Sequence, residues 1–129
     1  MVADFLYLSS RDEFLRIDIS RIVYFEADGN YTRIMISNGI VSLVCMSLAK
    51  MEQLVGGLIK KKGIVMARIG KRYIINLSFV YKINILRQEL ILSDQRTFSY
   101  TLNLSRDALK NLRDVMTASL KSVVPPESE

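Results

Sequence analysis

Alternating apolar and polar positions dominate the first third of the chain. Asp4–Leu8 reads as a strand and Ser9–Asp12 as a turn of small and polar residues. Glu13–Asp18 follows at strand spacing, with Phe14 and Arg16 on one face and Leu15 and Ile17 on the other. Ile22–Ala27 is rich in β-branched and aromatic residues and predicts a strand. Asp28-Gly29-Asn30 is a turn signal, because Gly and Asn tolerate positive φ, and Tyr31–Ile36 returns as the partner strand of a hairpin. Asn38-Gly39 is a second turn, and Ile40–Cys45 the next strand. The period then changes. Behind Ser47, a natural N-cap, Leu48, Met51, Leu54, Val55 and Leu58 fall at helical spacing. Gly56-Gly57 predicts the end of that helix nearby, and Lys60–Gly63 a cationic loop.

Strand spacing resumes at Ile64–Arg68. Ile74, Ile75 and Leu77 are apolar anchors, and Phe79–Ile83, Glu89–Leu92 and Thr97–Leu102 are further strands, the last two joined by a turn at Ser93–Arg96. Ser105 can cap a final helix with an apolar stripe of Leu109, Leu112, Val115 and Met116; Asp107 in its first turn complements the helix dipole. The connections between strands are hairpin-length, which predicts antiparallel pairing. The expected fold class is therefore mostly β with short helices. The expected organisation is one domain over 1–121 and a flexible C-terminal tail over 122–129, which includes Pro125-Pro126.

Charge singles out one stretch. The chain carries 18 Lys and Arg against 13 Asp and Glu. Residues 65–121 hold 10 of those basic residues and 4 of the acidic ones, so the excess lies in the C-terminal half. Such a surface points to a polyanionic partner. Within Met66–Leu77, Arg68, Lys71 and Arg72 fall within five residues, broken by Gly70 and flanked by apolar types. This reads as a basic loop mounted between two apolar runs, suited to phosphates and base edges. Asn30 falls at a turn, and Arg106 at a helix start where free backbone N–H groups already favour anions.

Composition narrows the chemistry. There is no histidine, so Ser-His-Asp and Cys-His catalytic arrangements are excluded, and an enzyme is not expected. Gly70-Lys71 lacks the earlier glycine and the following hydroxyl residue of a phosphate-binding P-loop. Glu26 and Asp28 are two apart and could share a face, but a turn role for Asp28 is the stronger reading. The single cysteine, Cys45, makes no internal disulfide and no cysteine cluster, so it is expected to be a buried structural thiol. No metal and no cofactor are expected. Met1–Tyr7 lacks the features of a signal peptide, and no apolar run is long enough to span a membrane, so a cytoplasmic location is expected.

Four ordered segments resemble the LytTR-type DNA-binding domains of bacterial regulators. Ile22–Tyr31 resembles the first signature of that family, and Ser47–Leu54 its "SL…LE..L" helix. Arg68–Leu77 resembles its "R-x-H-[RK]-S-Y-[IL]-[IV]-N" segment, and Leu104-Ser105-Arg106 the motif that opens its last helix. The resemblance covers about residues 5–118 and implies an elongated antiparallel β architecture. It also implies sequence-specific binding of double-stranded DNA, with loops in successive major grooves. By position it implies DNA contacts at Asn30-Tyr31, at Lys71 and at Arg106. Arg68 also matches, either as a contact or as an internal brace of the loop. Two residues depart from the pattern: Gly70 stands where the family has histidine and Arg72 where it has serine. Arg72 adds charge and is expected to contact DNA beside Lys71. The implied partner is tandem-repeat DNA bound by two copies, as a homodimer on DNA, with input from a separate signalling protein. The alternative is a protein-interaction or sensing module that kept the fold while the Gly70 change degraded DNA reading.

Overall fold

The computed structural model describes residues 5–62 and 64–118. β1 (Phe5–Ser9) and β2 (Phe14–Asp18) form an antiparallel hairpin. Its turn is closed by Ser10, whose hydroxyl accepts from Glu13 N at 3.1 Å. Asp18 caps a single 3-10 turn, Ile19–Arg21, by accepting from Ser20 N at 3.0 Å. This turn feeds β3 (Ile22–Asp28), which pairs with β4 (Tyr31–Ile36) across the two-residue turn Gly29-Asn30. Gly29 has φ +61 at the first central position, as a type II′ hairpin turn requires. β5 (Val41–Val44) follows, and then α1 (Leu48–Lys62), capped by Ser47 Oγ accepting from Lys50 N at 3.2 Å. β6 (Met66–Ile69) and β7 (Tyr73–Asn76) form the next hairpin. A second 3-10 turn, Leu77–Phe79, leads into β8 (Val80–Asn84), β9 (Glu89–Ser93) and β10 (Ser99–Asn103). α2 (Arg106–Ala118) closes the described chain, capped by Ser105 Oγ accepting from Ala108 N at 3.1 Å.

The sheets are antiparallel throughout. A five-stranded sheet has the order β5-β4-β3-β7-β6, a three-stranded one the order β10-β9-β8, and β1-β2 stand as a pair. β3 is central, and both of its faces are covered. On one face Phe25, Ile34 and Ile74 pack with Leu6, Leu8 and Ile17 of the first hairpin and with Leu48, Met51 and Val55 of α1. On the other, Tyr24, Tyr73 and Ile75 pack with Leu90, Leu92 and Leu102 of the three-stranded sheet and with Leu109 and Leu112 of α2. The molecule is thus layered about one sheet. Each fully buried aliphatic or aromatic side chain in these layers contributes about 1.5–3 kcal/mol of transfer free energy. Thr32 and Asn76 are the buried polar residues among those described: Thr32 Oγ1 donates to Met46 O at 2.7 Å, and Asn76 donates to Ile22 O at 2.9 Å and accepts from Ser78 N at 3.0 Å.

The expected mostly-β class with antiparallel pairing and two helices is the observed one. Two local expectations are corrected. The helix does not stop near Gly56-Gly57: α1 continues through Lys60–Lys62, where a cationic loop was expected, because lysines are good helix formers and outlast the local glycine penalty. Cys45 is exposed rather than buried, because it follows β5, the edge strand of the large sheet. Gly63, the expected boundary at 121 and the tail over 122–129 lie outside the described residues.

Candidate nucleic-acid interface

The β3–β4 and β6–β7 turns lie at the same end of the five-stranded sheet. β3 and β7 are neighbours, with Glu26 opposite Tyr73. Ala27 N donates to Arg72 O at 2.8 Å, so the backbone of the second turn is tied to the strand that leads into the first. Asn30, Tyr31, Lys71 and Arg72 are all exposed at this end. Gly70 has φ +63, a left-handed conformation that costs glycine little and lets the chain reverse over Gly70–Arg72.

The three cations of this stretch have different fates. Arg68 points back into the fold: its Nη1 donates to Glu52 Oε1 of α1 at 2.9 Å and its Nη2 to Lys71 O at 3.2 Å. It braces the turn from behind, and its Nε is buried without a partner. Arg72 Nη2 lies 2.6 Å from Glu26 Oε2, and its guanidinium sits 5.4 Å from the centre of the Tyr73 ring. Among the described residues, Lys71 has no acidic partner.

Glu26 is the hub of a wider set. Its side chain is 14% exposed, and its other oxygen faces Arg33 Nη1 at 3.4 Å. Arg33 Nη2 in turn bonds Asp28 Oδ2 at 2.6 Å, beside the first turn. Tyr73 donates its hydroxyl to Glu26 Oε2 at 3.5 Å. Two carboxylates and two guanidiniums thus form a chain of no net charge linking the two turns. Burial, reinforced by Glu26, raises the Tyr73 hydroxyl above its ordinary range. Burial also pushes Tyr24 up to about 12, again with Glu26 adding to the effect. The Glu26 hub escaped sequence reasoning because its partner Arg72 is 46 residues away. Its only local signal was the two-residue spacing of Glu26 and Asp28.

Arg106 stands on another layer. It opens α2, and its Nη2 donates to Leu86 O in the β8–β9 turn at 3.4 Å. That turn is fastened to the start of the helix by Leu104 N donating to Gln88 O at 3.1 Å. Tyr31, besides flanking the first turn, lines a cavity of about 420 Å³ with Tyr7, Leu43, Cys45 and Leu54. Among the described residues no group of His, Cys, Asp or Glu has the arrangement of a metal site, and no helix is long and apolar enough to cross a membrane.

A basic turn braced on an antiparallel sheet, a capped terminal helix led by arginine and the four ordered signatures now meet an independent finding. The LytTr DNA-binding domain profile matches residues 12–117. The chain belongs to the LytTr DNA-binding domain family. A solved structure described as the LytTr DNA-binding domain of a methyl-accepting/DNA response regulator from Bacillus cereus superposes with a TM-score of 0.60. It is 18% identical and covers 87% of this chain and 95% of its own, so the likeness is one of LytTr fold. No curated protein sequence matches the chain.

Proposed function

We propose that this LytTr domain binds double-stranded DNA sequence-specifically, as part of a bacterial transcriptional regulator acting in the cytoplasm. The turns at Asn30-Tyr31 and Lys71 and the α2 start at Arg106 enter successive major grooves. The carrying observation is Lys71: an unpaired cation at the tip of a turn braced by Arg68, inside a domain of a DNA-binding family. A lysine so placed reaches guanine O6 and N7 or a phosphate. Arg106 adds a planar donor beside the free N–H groups of a helix start, and Asn30 offers the donor–acceptor pair that matches adenine. Because one small module covers limited DNA surface, two copies occupy tandem repeats, and a separate signalling protein supplies the input. The role is that of a binding module rather than an enzyme.

Equilibrium binding of Lys71→Ala and Arg106→Ala to a selected duplex and to random DNA tests this. Arg106→Ala should weaken specific binding by about 1–3 kcal/mol and relax preference at one position. Equal losses on both DNAs would make Arg106 a phosphate contact only. If neither DNA is bound by the unaltered chain, the proposal fails and the interaction-module alternative stands.

A further inference from the structure

We infer that Glu26 withholds Arg72 from DNA, so that Lys71 alone carries the charge of the β6–β7 turn to the phosphates. This rests on the DNA-binding reading and assigns Glu26 a role as a positioning and specificity-determining residue. Three cations lie within residues 68–72, yet Arg68 is paired with Glu52 and Arg72 with Glu26. The Glu26 carboxylate is only 14% exposed, whereas the Arg72 side chain is 65% exposed. A carboxylate that has lost most of its water needs a close cation. Were Arg72 to swing to a phosphate, Glu26 would keep Arg33 at 3.4 Å, and Arg33 is already engaged with Asp28 at 2.6 Å. The Tyr73 ring and the Arg72 O to Ala27 N hydrogen bond hold the residue in place as well.

The pull in the other direction is modest. One added phosphate contact raises non-specific affinity roughly five- to tenfold at 0.1 M salt. The turn therefore contains cationic residues without a matching sequence-independent grip. That favours discrimination, because affinity for random DNA is the competitor of specific binding.

Salt titration of binding to a random-sequence duplex tests the inference with four proteins: the unaltered chain, Arg72→Ala, Glu26→Gln and the double variant. Arg72→Ala should leave the slope of log K against log salt unchanged. Glu26→Gln, nearly the same in shape, should release Arg72. The slope should steepen by roughly 0.9 and non-specific affinity should rise roughly five- to tenfold at 0.1 M salt. The double variant should return to the original slope, which a merely structural role for Glu26 would not produce. A slope shallower by roughly 0.9 in Arg72→Ala would overturn the inference, since Arg72 would then already hold a phosphate. So would a folded Glu26→Gln with an unchanged slope. If Glu26→Gln does not fold, Arg72→Ala decides alone, because its side chain is exposed. Absence of binding by the unaltered chain would instead defeat the DNA-binding reading itself.

Discussion

The β6–β7 and β9–β10 turns close two hairpins of one molecule and are held in opposite ways. The β9–β10 turn is held from inside. The Asp94 carboxylate accepts from Thr97 Oγ1 at 2.5 Å and from the backbone N–H groups of Arg96, Thr97 and Phe98 at 2.9, 2.7 and 3.1 Å. These bonds, led by the Thr97 hydroxyl, hold the Asp94 carboxyl well below the usual carboxylate range. The β6–β7 turn has a single internal side-chain bond, from Arg68 Nη2 to Lys71 O at 3.2 Å, in place of such a cap. It is held from outside, by Glu52 through Arg68 and by Glu26 through Arg72, 16 and 46 residues apart in sequence. A self-capped turn uses its polar groups on itself. A remotely braced one is rigid and still leaves a side chain, Lys71, free to meet a partner.

The largest expected effect comes from breaking the foundation of the braced turn. Asn76→Ala would leave the buried Ile22 O without its side-chain donor and Ser78 N without its acceptor. It should cost about 1–3 kcal/mol in denaturant unfolding. A loss near zero would mean that the end of β7 is not what anchors this hairpin. Next comes the turn itself. Gly70→His, which restores the residue of the resembled segment, meets nothing within 4 Å of its Cβ but must adopt φ +63. The cost should be about 1 kcal/mol, from backbone alone. Arg68→Ala removes a brace that is partly exposed. Its cost in stability should stay below about 1 kcal/mol, while specific DNA affinity should fall as the turn loses its shape. Unchanged affinity would show that the turn holds its shape without Arg68.

The smallest effects are in pH dependence. Asp94 has a depressed carboxyl pKa in the folded state, so its contribution is present above the unfolded value of about 3.9 and is lost as pH falls below it. Protection of the amides of residues 96–98 against exchange, relative to their intrinsic rates, should fall in acid, and Asp94→Asn should abolish that fall while sparing the β6–β7 turn. Tyr24 behaves in the reverse sense. Its stability contribution is complete below its unfolded value of about 10 and declines as pH rises toward about 12, which absorbance titration would follow.

Much of this molecule was legible from its residues. Period-two runs around Phe25, Ile34 and Leu90 gave the strands, and Ser47 and Ser105 marked both helix starts, because these signals are local. The Arg68–Leu77 stretch was visible as a basic loop between apolar runs. What was not visible depends on distance along the chain. Cys45 looked like core until β5 proved to be an edge strand. Arg72 looked like a free cation until folding brought Glu26 to it from 46 residues away. Charge counting from sequence sums residues one by one, whereas the turn presents what remains after pairing.

Selection from a randomised duplex library at two salt concentrations, with sequencing of the retained DNA, tests the central claim most directly. The account predicts an enriched motif present in two tandem copies and retention that falls as salt rises. Retention without an enriched motif would reduce the braced turn to a phosphate grip. No retention at either salt would contradict DNA binding altogether.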